Sequence, residues 1–175
     1  MKARLWPVLL AGLLLISALS LPASAAELPF SDVADSAWYY ESVERVYEEN
    51  WTNGTGNDRF SPDDSLTRAM LAVILWRIEG SQDASRTVTF TDTSANAWYA
   101  DGLSWCAEKG LFAGYPNGSF GPDDAVTREQ LAIVFFRYAE KTGAVPSGQV
   151  GHTTFKNGCP WAADTCAWAN EYGLF

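Results

Sequence analysis

The residues best suited to bind a ligand are two Thr-Arg pairs, each at the predicted start of an apolar helix. Thr67 precedes Arg68, and Thr127 precedes Arg128. A Thr hydroxyl at such a position caps a free backbone N–H, and Gln130 completes a capping box in the second pair. An Arg at the first helical position is unfavourable by up to about 1 kcal/mol, because the helix N-terminus already carries partial positive charge.

An anion bound at these helix starts would explain why both of them carry a cation. Free N–H groups, the helix dipole and the guanidinium fork would then converge on one carboxylate or phosphate. The alternative is a structural ion pair from each Arg to a nearby acidic pair, Asp63-Asp64 or Asp123-Asp124. The sequence favours the two interpretations equally.

Trp38 and Trp98 lie in two matching Ala-Trp-Tyr segments, at the predicted starts of two further helices. Buried aromatic side chains mostly supply packing area, so the pattern favours core packing against Phe30 and Phe90. A ring that stayed exposed beside an arginine would instead suit stacking on a sugar.

These residues belong to an internal repeat, because the chain matches itself without a gap at an offset of 60 residues. The matching segments are 30–32 with 90–92, 37–39 with 97–99, 60–64 with 120–124, and 67–68 with 127–128. A third copy begins at Phe155 and reaches Phe175 without a Thr-Arg pair. We therefore assign 26–80 to a first repeat, 81–143 to a second with its preceding linker, 144–154 to a linker and 155–175 to a truncated third.

Helical periodicity predicts a mainly α fold in which each full repeat is a helix, a loop and a second helix. The second helices, 67–79 and about 127–140, are apolar nearly all round and must be buried on most sides. One repeat cannot cover such a helix alone, so we expect these helices to cluster at a shared centre.

The first 25 residues have the pattern of a secretory signal peptide, with Lys2 and Arg4, an apolar run and Ala-Ser-Ala before a cleavage point after Ala25. Cleavage lowers the basic count from 12 to 10 against 21 acidic residues. Such an acidic chain is a poor ligand for nucleic acid or anionic membranes. No second long apolar run follows, so no membrane association is expected after cleavage.

Three cysteines and one histidine offer little chemistry. Cys106 takes the place of Val46 in the repeat and is expected to be a small buried residue. Export permits a disulfide, and the sequence favours Cys159 with Cys166 as the pair. The one histidine, His152, lies in a linker, so neither a catalytic triad nor a zinc site can be assembled. The acidic loops fit an EF-hand poorly, and we predict no cofactor and no enzyme activity.

The Phe-x-Asp, Ala-Trp-Tyr and Thr-Arg-x-x segments, with Gly-Tyr-Pro-Asn-Gly-Ser-Phe-x-Pro-Asp at 114–123, resemble the S-layer homology repeat. The resemblance runs from Phe30 to Phe175. It implies helix-loop-helix repeats around a shared, pseudo-threefold helical bundle, here incomplete. It also implies an exported protein of the cell wall or S-layer that binds a pyruvylated or otherwise anionic secondary cell-wall polysaccharide without a covalent bond.

By this resemblance, Arg68 and Arg128 with Thr67 and Thr127 would bind the acidic sugar, and Trp38 and Trp98 would do so more weakly. Three features depart from the family pattern. The family's Glu is Met70 or Gln130 here, the first repeat has a different loop at 54–60 in place of Gly-Tyr-Pro-Asn-Gly, and the third repeat lacks its Thr-Arg helix. The alternatives are a fragment or an assembly protein whose half repeat pairs with another S-layer homology chain and, less favoured, a wall-associated glycan hydrolase.

Overall fold

A computed structural model describes residues 28–85, 87–144 and 162–174. These residues form five α-helices joined by turns: α1 (Tyr40–Glu48), α2 (Arg68–Ile78), α3 (Ala100–Glu108), α4 (Arg128–Thr142) and α5 (Ala163–Glu171). Within these ranges β-pairing is confined to isolated bridges, one of which joins Thr67 to Ala125. The prediction of a mainly α fold is confirmed.

The second helices begin where their caps predicted. The Thr67 hydroxyl accepts a hydrogen bond from Met70 N at 3.3 Å. In α4, Thr127 Oγ1 accepts from Gln130 N and Gln130 Oε1 accepts from Thr127 N, both at 3.3 Å, which completes the capping box. The helix ends at Gly143, whose φ of 74° lies in the left-handed region that glycine adopts without strain.

The Asp of each Phe-x-Asp segment fastens the start of a repeat to the loop before its second helix. Asp32 accepts hydrogen bonds from Phe60 N and Ser61 N, both at 2.8 Å. Asp92 accepts the matching bonds from Phe120 N at 2.7 Å and Gly121 N at 2.8 Å. These backbone N–H donors lower the pKa of both carboxyl groups below the ordinary value of 3.8.

The second helix of one repeat packs against the first helix of the next, α2 on α3 and α4 on α5. At the α2–α3 contact, a side chain at Gly102 would meet the Val73 backbone at 3.0 Å, so the two helices approach closely. Cys106 Sγ lies 3.4 Å from the Ala72 carbonyl oxygen. No other pair of helices makes close backbone contact in the described ranges, so α1 has no helical neighbour there.

The main hydrophobic cluster draws on α2, α3 and α4 together, and its buried members include Leu71, Leu103, Phe120 and Val134. This sharing confirms that the two second helices meet in one core. Cys106 is fully buried in that cluster, as expected, and burial raises the pKa of its thiol to about 12. The first repeat keeps a separate small cluster around Phe30, Val33 and Val43.

The prediction that Trp38 and Trp98 pack in the core was wrong. Trp38 is 93% exposed and Trp98 is 64% exposed. The helices begin two residues later, at Tyr40 and Ala100. The neighbouring Tyr39 and Tyr99 take the inner positions and pack against the clusters.

Several sequence expectations lie outside the described residues, namely the signal peptide, His152 and Cys159. Cys166 lies in α5 and is buried. Its pairing with Cys159 stays a prediction.

The Asp32 and Asp92 clamps predict a loss of stability in acid. A carboxyl whose pKa is lowered by folding stabilises the fold above its unfolded pKa and loses that contribution as the pH falls. The free energy of unfolding should therefore drop between about pH 5 and pH 2. Chemical denaturation at a series of pH values should show a shallower slope in the double variant Asp32→Asn and Asp92→Asn. An unchanged slope would contradict the role of the clamps.

Candidate functional site

A groove of about 740 Å³ runs along the first repeat and is closed at one edge by the second. Its long wall combines the end of α1, the loop before α2 and one face of α2, with Val46, Phe60 and Ile74 among the lining residues. Trp98 and Asp123 are the lining residues that the second repeat contributes. Apolar and polar side chains share this surface, as is typical of small-molecule sites.

The edge of the groove where the two repeats meet is formed by Thr67, Met70, Trp98 and Asp123. The Trp98 ring is held edge-on against Tyr99, with the ring centroids 5.4 Å apart. The Trp98 side chain stays largely exposed because Tyr99, rather than Trp98, supplies the core contact. This arrangement presents a flat aromatic surface beside a hydroxyl and a carboxylate.

Arg68 lies deep between the two repeats, with only 5% of its surface exposed. Its Nε donates to the Phe120 carbonyl at 2.8 Å, and its Nη2 donates to the Ala113 carbonyl at 3.0 Å. The guanidinium also lies over the rings of Phe112, Tyr115 and Phe120, 4.6–5.3 Å from their centroids. Burial lowers the pKa of Arg68, and the charges of Asp124 and Asp92 oppose that effect.

The backbone at the start of α2 continues this junction. Arg68 N donates to the Asp124 carbonyl and Ala69 N to the Pro122 carbonyl, both at 3.0 Å. The predicted structural alternative for Arg68, an ion pair with a neighbouring acidic pair, is therefore replaced by backbone carbonyls of the second repeat. Two of the helix-start N–H groups that an anion would use are already bonded.

Arg128 has the same motif position but is exposed. The loop that receives Arg68 spans about 113–124 of the second repeat, and the described part of the third repeat contains no corresponding loop. The same Thr-Arg motif is thus buried at one helix start and accessible at the other.

The groove brings together two of the six residues predicted to bind a ligand, Thr67 and Trp98. The other four, Arg68, Arg128, Thr127 and Trp38, do not line it. A direct ligand role for those four stays a prediction.

Sequence reasoning missed Arg77, which lines the far end of the groove. Its repeat counterpart Arg137 donates from Nη1 to the Leu111 carbonyl at 3.1 Å. The structure gives the Arg77 guanidinium no hydrogen bond or ion pair to another described residue. The sequence shows that an arginine recurs here at the 60-residue offset. It does not show that Arg77 lines a groove.

Two further searches of the described residues were negative. No group of three or more His, Cys, Asp or Glu side chains there is placed to hold a metal ion. No helix in those ranges is long and apolar enough to cross a membrane.

Comparison with known proteins identifies the repeats. The family model for the S-layer homology domain matches residues 29–70 and 89–132. These matches cover both full repeats up to the early part of each second helix. The chain therefore belongs to the S-layer homology family.

Relatives with this similarity are large proteins. The chain is 35% identical over 124 residues to an endoglucanase of Bacillus sp. (strain KSM-635), covering 69% of this chain and 13% of the relative. It is 34% identical over 102 residues to a cellulosome-anchoring protein of Acetivibrio thermocellus, covering 56% of this chain and 23% of the relative. It is 30% identical over 131 residues to a surface-layer 125 kDa protein of Lysinibacillus sphaericus, covering 74% of this chain and 11% of the relative.

The chain thus spans less than a quarter of the length of each of these relatives. The S-layer homology repeats and the surface proteins among the relatives support a location at the cell surface, in the cell wall or surface layer. They also support an anchoring role there.

The two Thr-Arg arginines should differ sharply in their effect on stability. Arg68→Ala removes two charge-assisted hydrogen bonds between repeats and should lower the free energy of unfolding by about 3 kcal/mol. Arg128→Ala changes an exposed side chain at the matching position and should cost less than about 0.5 kcal/mol. Urea denaturation of both variants measures the difference. Equal losses would contradict the junction described for Arg68.

Proposed function

We propose that this S-layer homology chain binds cell-wall polysaccharide without a covalent bond, in the groove between its first and second repeats. The observation that carries this proposal is the exposed Trp98 ring at the groove edge, beside Thr67 and Asp123. By this binding the repeats hold the polypeptide that contains them at the cell surface.

The groove edge has the chemistry that a sugar needs. The apolar face of a pyranose ring packs on an indole, whose large flat surface loses little conformational freedom on binding. The Asp123 carboxylate accepts hydrogen bonds from sugar hydroxyls, and the Thr67 hydroxyl can still donate while it accepts the Met70 cap bond. Each of these groups gives up hydrating water on binding, and the hydrogen bonds to sugar hydroxyls offset that cost.

An anionic polymer, such as one with pyruvate ketals, requires a local cation because the chain has a net charge of −9. Arg77 supports this part of the proposal, since it lines the groove and the planar fork of a guanidinium matches a carboxylate. The contacts of Arg68 favour an indirect role, in which it holds the second repeat against the first. At the repeat offset of 60, Trp38 matches Trp98 and Thr127 matches Thr67, whereas Arg128 matches the buried Arg68.

We propose that the repeats are a non-catalytic module. The sequence similarity supports this proposal, because the endoglucanase relative is matched over only 13% of its length. A relative named for anchoring is matched over the same kind of repeat.

The test is co-sedimentation with purified cell-wall sacculi, before and after chemical removal of the non-peptidoglycan polymer. Binding should disappear with the polymer. Trp98→Ala should weaken binding about tenfold, which is ~1.4 kcal/mol, and Arg77→Ala should weaken it more at low salt than at high salt.

The matched control is Trp38→Ala, which removes the same ring from the first repeat, where it does not line the groove. Its loss of binding should be smaller than that of Trp98→Ala. Binding that survives polymer removal, or equal losses in the two tryptophan variants, would overturn the groove as the polysaccharide site.

A further inference from the structure

The second repeat has a slot between α3, the loop that follows α3, and α4. A helix of the first repeat fills this slot. The occupant is α2, whose Leu71, Ala72 and Leu75 enter the main cluster. The slot is lined by Cys106, Phe112, Phe120 and Val134, each with 5% or less of its surface exposed.

The first repeat has the same slot without an occupant among the described residues. Subtracting the repeat offset of 60 gives Val46, Thr52, Phe60 and Ile74, all of which line the open groove. Each of these four is only partly buried, whereas its counterpart is buried. Since α1 has no helical neighbour in the described ranges, the groove occupies the place that α2 fills in the second repeat.

The two repeats also differ in the hydrogen bonding of four matching backbone carbonyls. In the second repeat, the carbonyls of Ala113, Phe120, Pro122 and Asp124 each accept a hydrogen bond from Arg68 or Ala69 of the incoming helix. Their counterparts, the carbonyls of Asn53, Phe60, Pro62 and Asp64, belong to residues that line the groove. None of these four accepts a hydrogen bond from another described residue. The acceptors for a helix start are present in the first repeat, and the described residues supply no donor.

We propose that this wall of the groove is a docking site for the second helix of an S-layer homology repeat on a partner chain. The partner segment is an apolar α-helix of about three turns that begins with Thr-Arg, like the helix that the second repeat already receives. Its arginine would donate to the Asn53 and Phe60 carbonyls, and its first backbone N–H groups would donate to those of Asp64 and Pro62.

Charge favours a cation at this position. Asp92 and Asp124 act on Arg68 in the occupied slot, and their counterparts Asp32 and Asp64 are acidic as well. Two rings that face Arg68, Phe112 and Tyr115, are replaced in the first repeat by Thr52 and Thr55. We therefore expect weaker, reversible docking, since two cation–π contacts are lost.

A second copy of this chain is not the partner, because its α4 is already covered by another helix, whereas the docking helix must be uncovered. In this chain α5 covers α4, with Ala132 and Phe136 buried against Trp168 and Ala169. A second copy would have to release α5 before its α4 could enter the slot. A repeat whose second helix is not covered in this way meets no such cost.

A synthetic peptide with the sequence of residues 126–142 provides the test, because it has Thr127-Arg128 near its start and five charged residues over its length. A fluorophore at its end allows binding to the full chain to be followed by anisotropy, without polysaccharide. We expect saturable binding with a Kd below about 100 μM. The same peptide with Arg128→Ala should bind about tenfold more weakly.

Two protein variants locate the binding. Val46→Arg places a long cation in the slot and should weaken peptide binding more than about tenfold. Glu48→Arg, on an exposed position of the same helix outside the groove, should leave it unchanged. If Val46→Arg melts at a lower temperature, Ile74→Arg takes its place. No binding up to about 1 mM peptide, or equal binding to both variants, would overturn the proposal.

This docking does not depend on the polysaccharide. Trp98→Ala, measured in parallel, removes the ring at the groove edge and leaves the four-residue wall unchanged. It should weaken sacculus binding and keep peptide binding. Peptide binding that is lost with Trp98→Ala and kept with Val46→Arg would overturn docking on the wall, whereas unchanged sacculus binding of Trp98→Ala would count against the polysaccharide site alone.

Discussion

The second helix of each repeat is apolar nearly all round, and its burial against the next repeat is the constraint on which the rest of the structure depends. Polar side chains cannot shield such a helix within a single repeat, so α2 packs on α3 and α4 packs on α5. This pairing explains why two repeats share one core while the first repeat keeps only a small cluster of its own. The groove lies beside α1, where no second helix of another repeat packs among the described residues.

The Arg68 junction combines this apolar burial with a charge. Removing a guanidinium from water is costly unless its donors are satisfied, and here two carbonyls and three aromatic rings surround it. The carbonyls belong to the loop of the second repeat, so the buried charge is satisfied only when that loop lies against the start of α2. The junction therefore fixes the position of the second repeat, and with it the position of Trp98 at the groove edge.

Local signals in the sequence predicted the helices and their caps, because Thr67, Thr127 and Gln130 act on N–H groups within three residues. The internal repeat likewise indicated that one repeat cannot cover its second helix. The sequence did not show that Arg68 is buried, since its acceptors lie 45 and 52 residues away. It also misplaced Trp38 and Trp98, because a helix start two residues later directs the adjacent tyrosines inward. Arg77 recurs in both repeats, and only the three-dimensional packing distinguishes it from Arg137.

The groove edge joins these features to the function at the cell surface, since it exists only while the second repeat is held against the first. The most direct measurement is an NMR titration of the ¹⁵N-labelled protein with purified oligosaccharides of the wall polymer, read at the tryptophan indole N–H signals. The account predicts that the signal of Trp98 moves saturably, while that of Trp105, which is 4% exposed in the core, stays in place. Binding of the oligosaccharide with no change at Trp98 would contradict it.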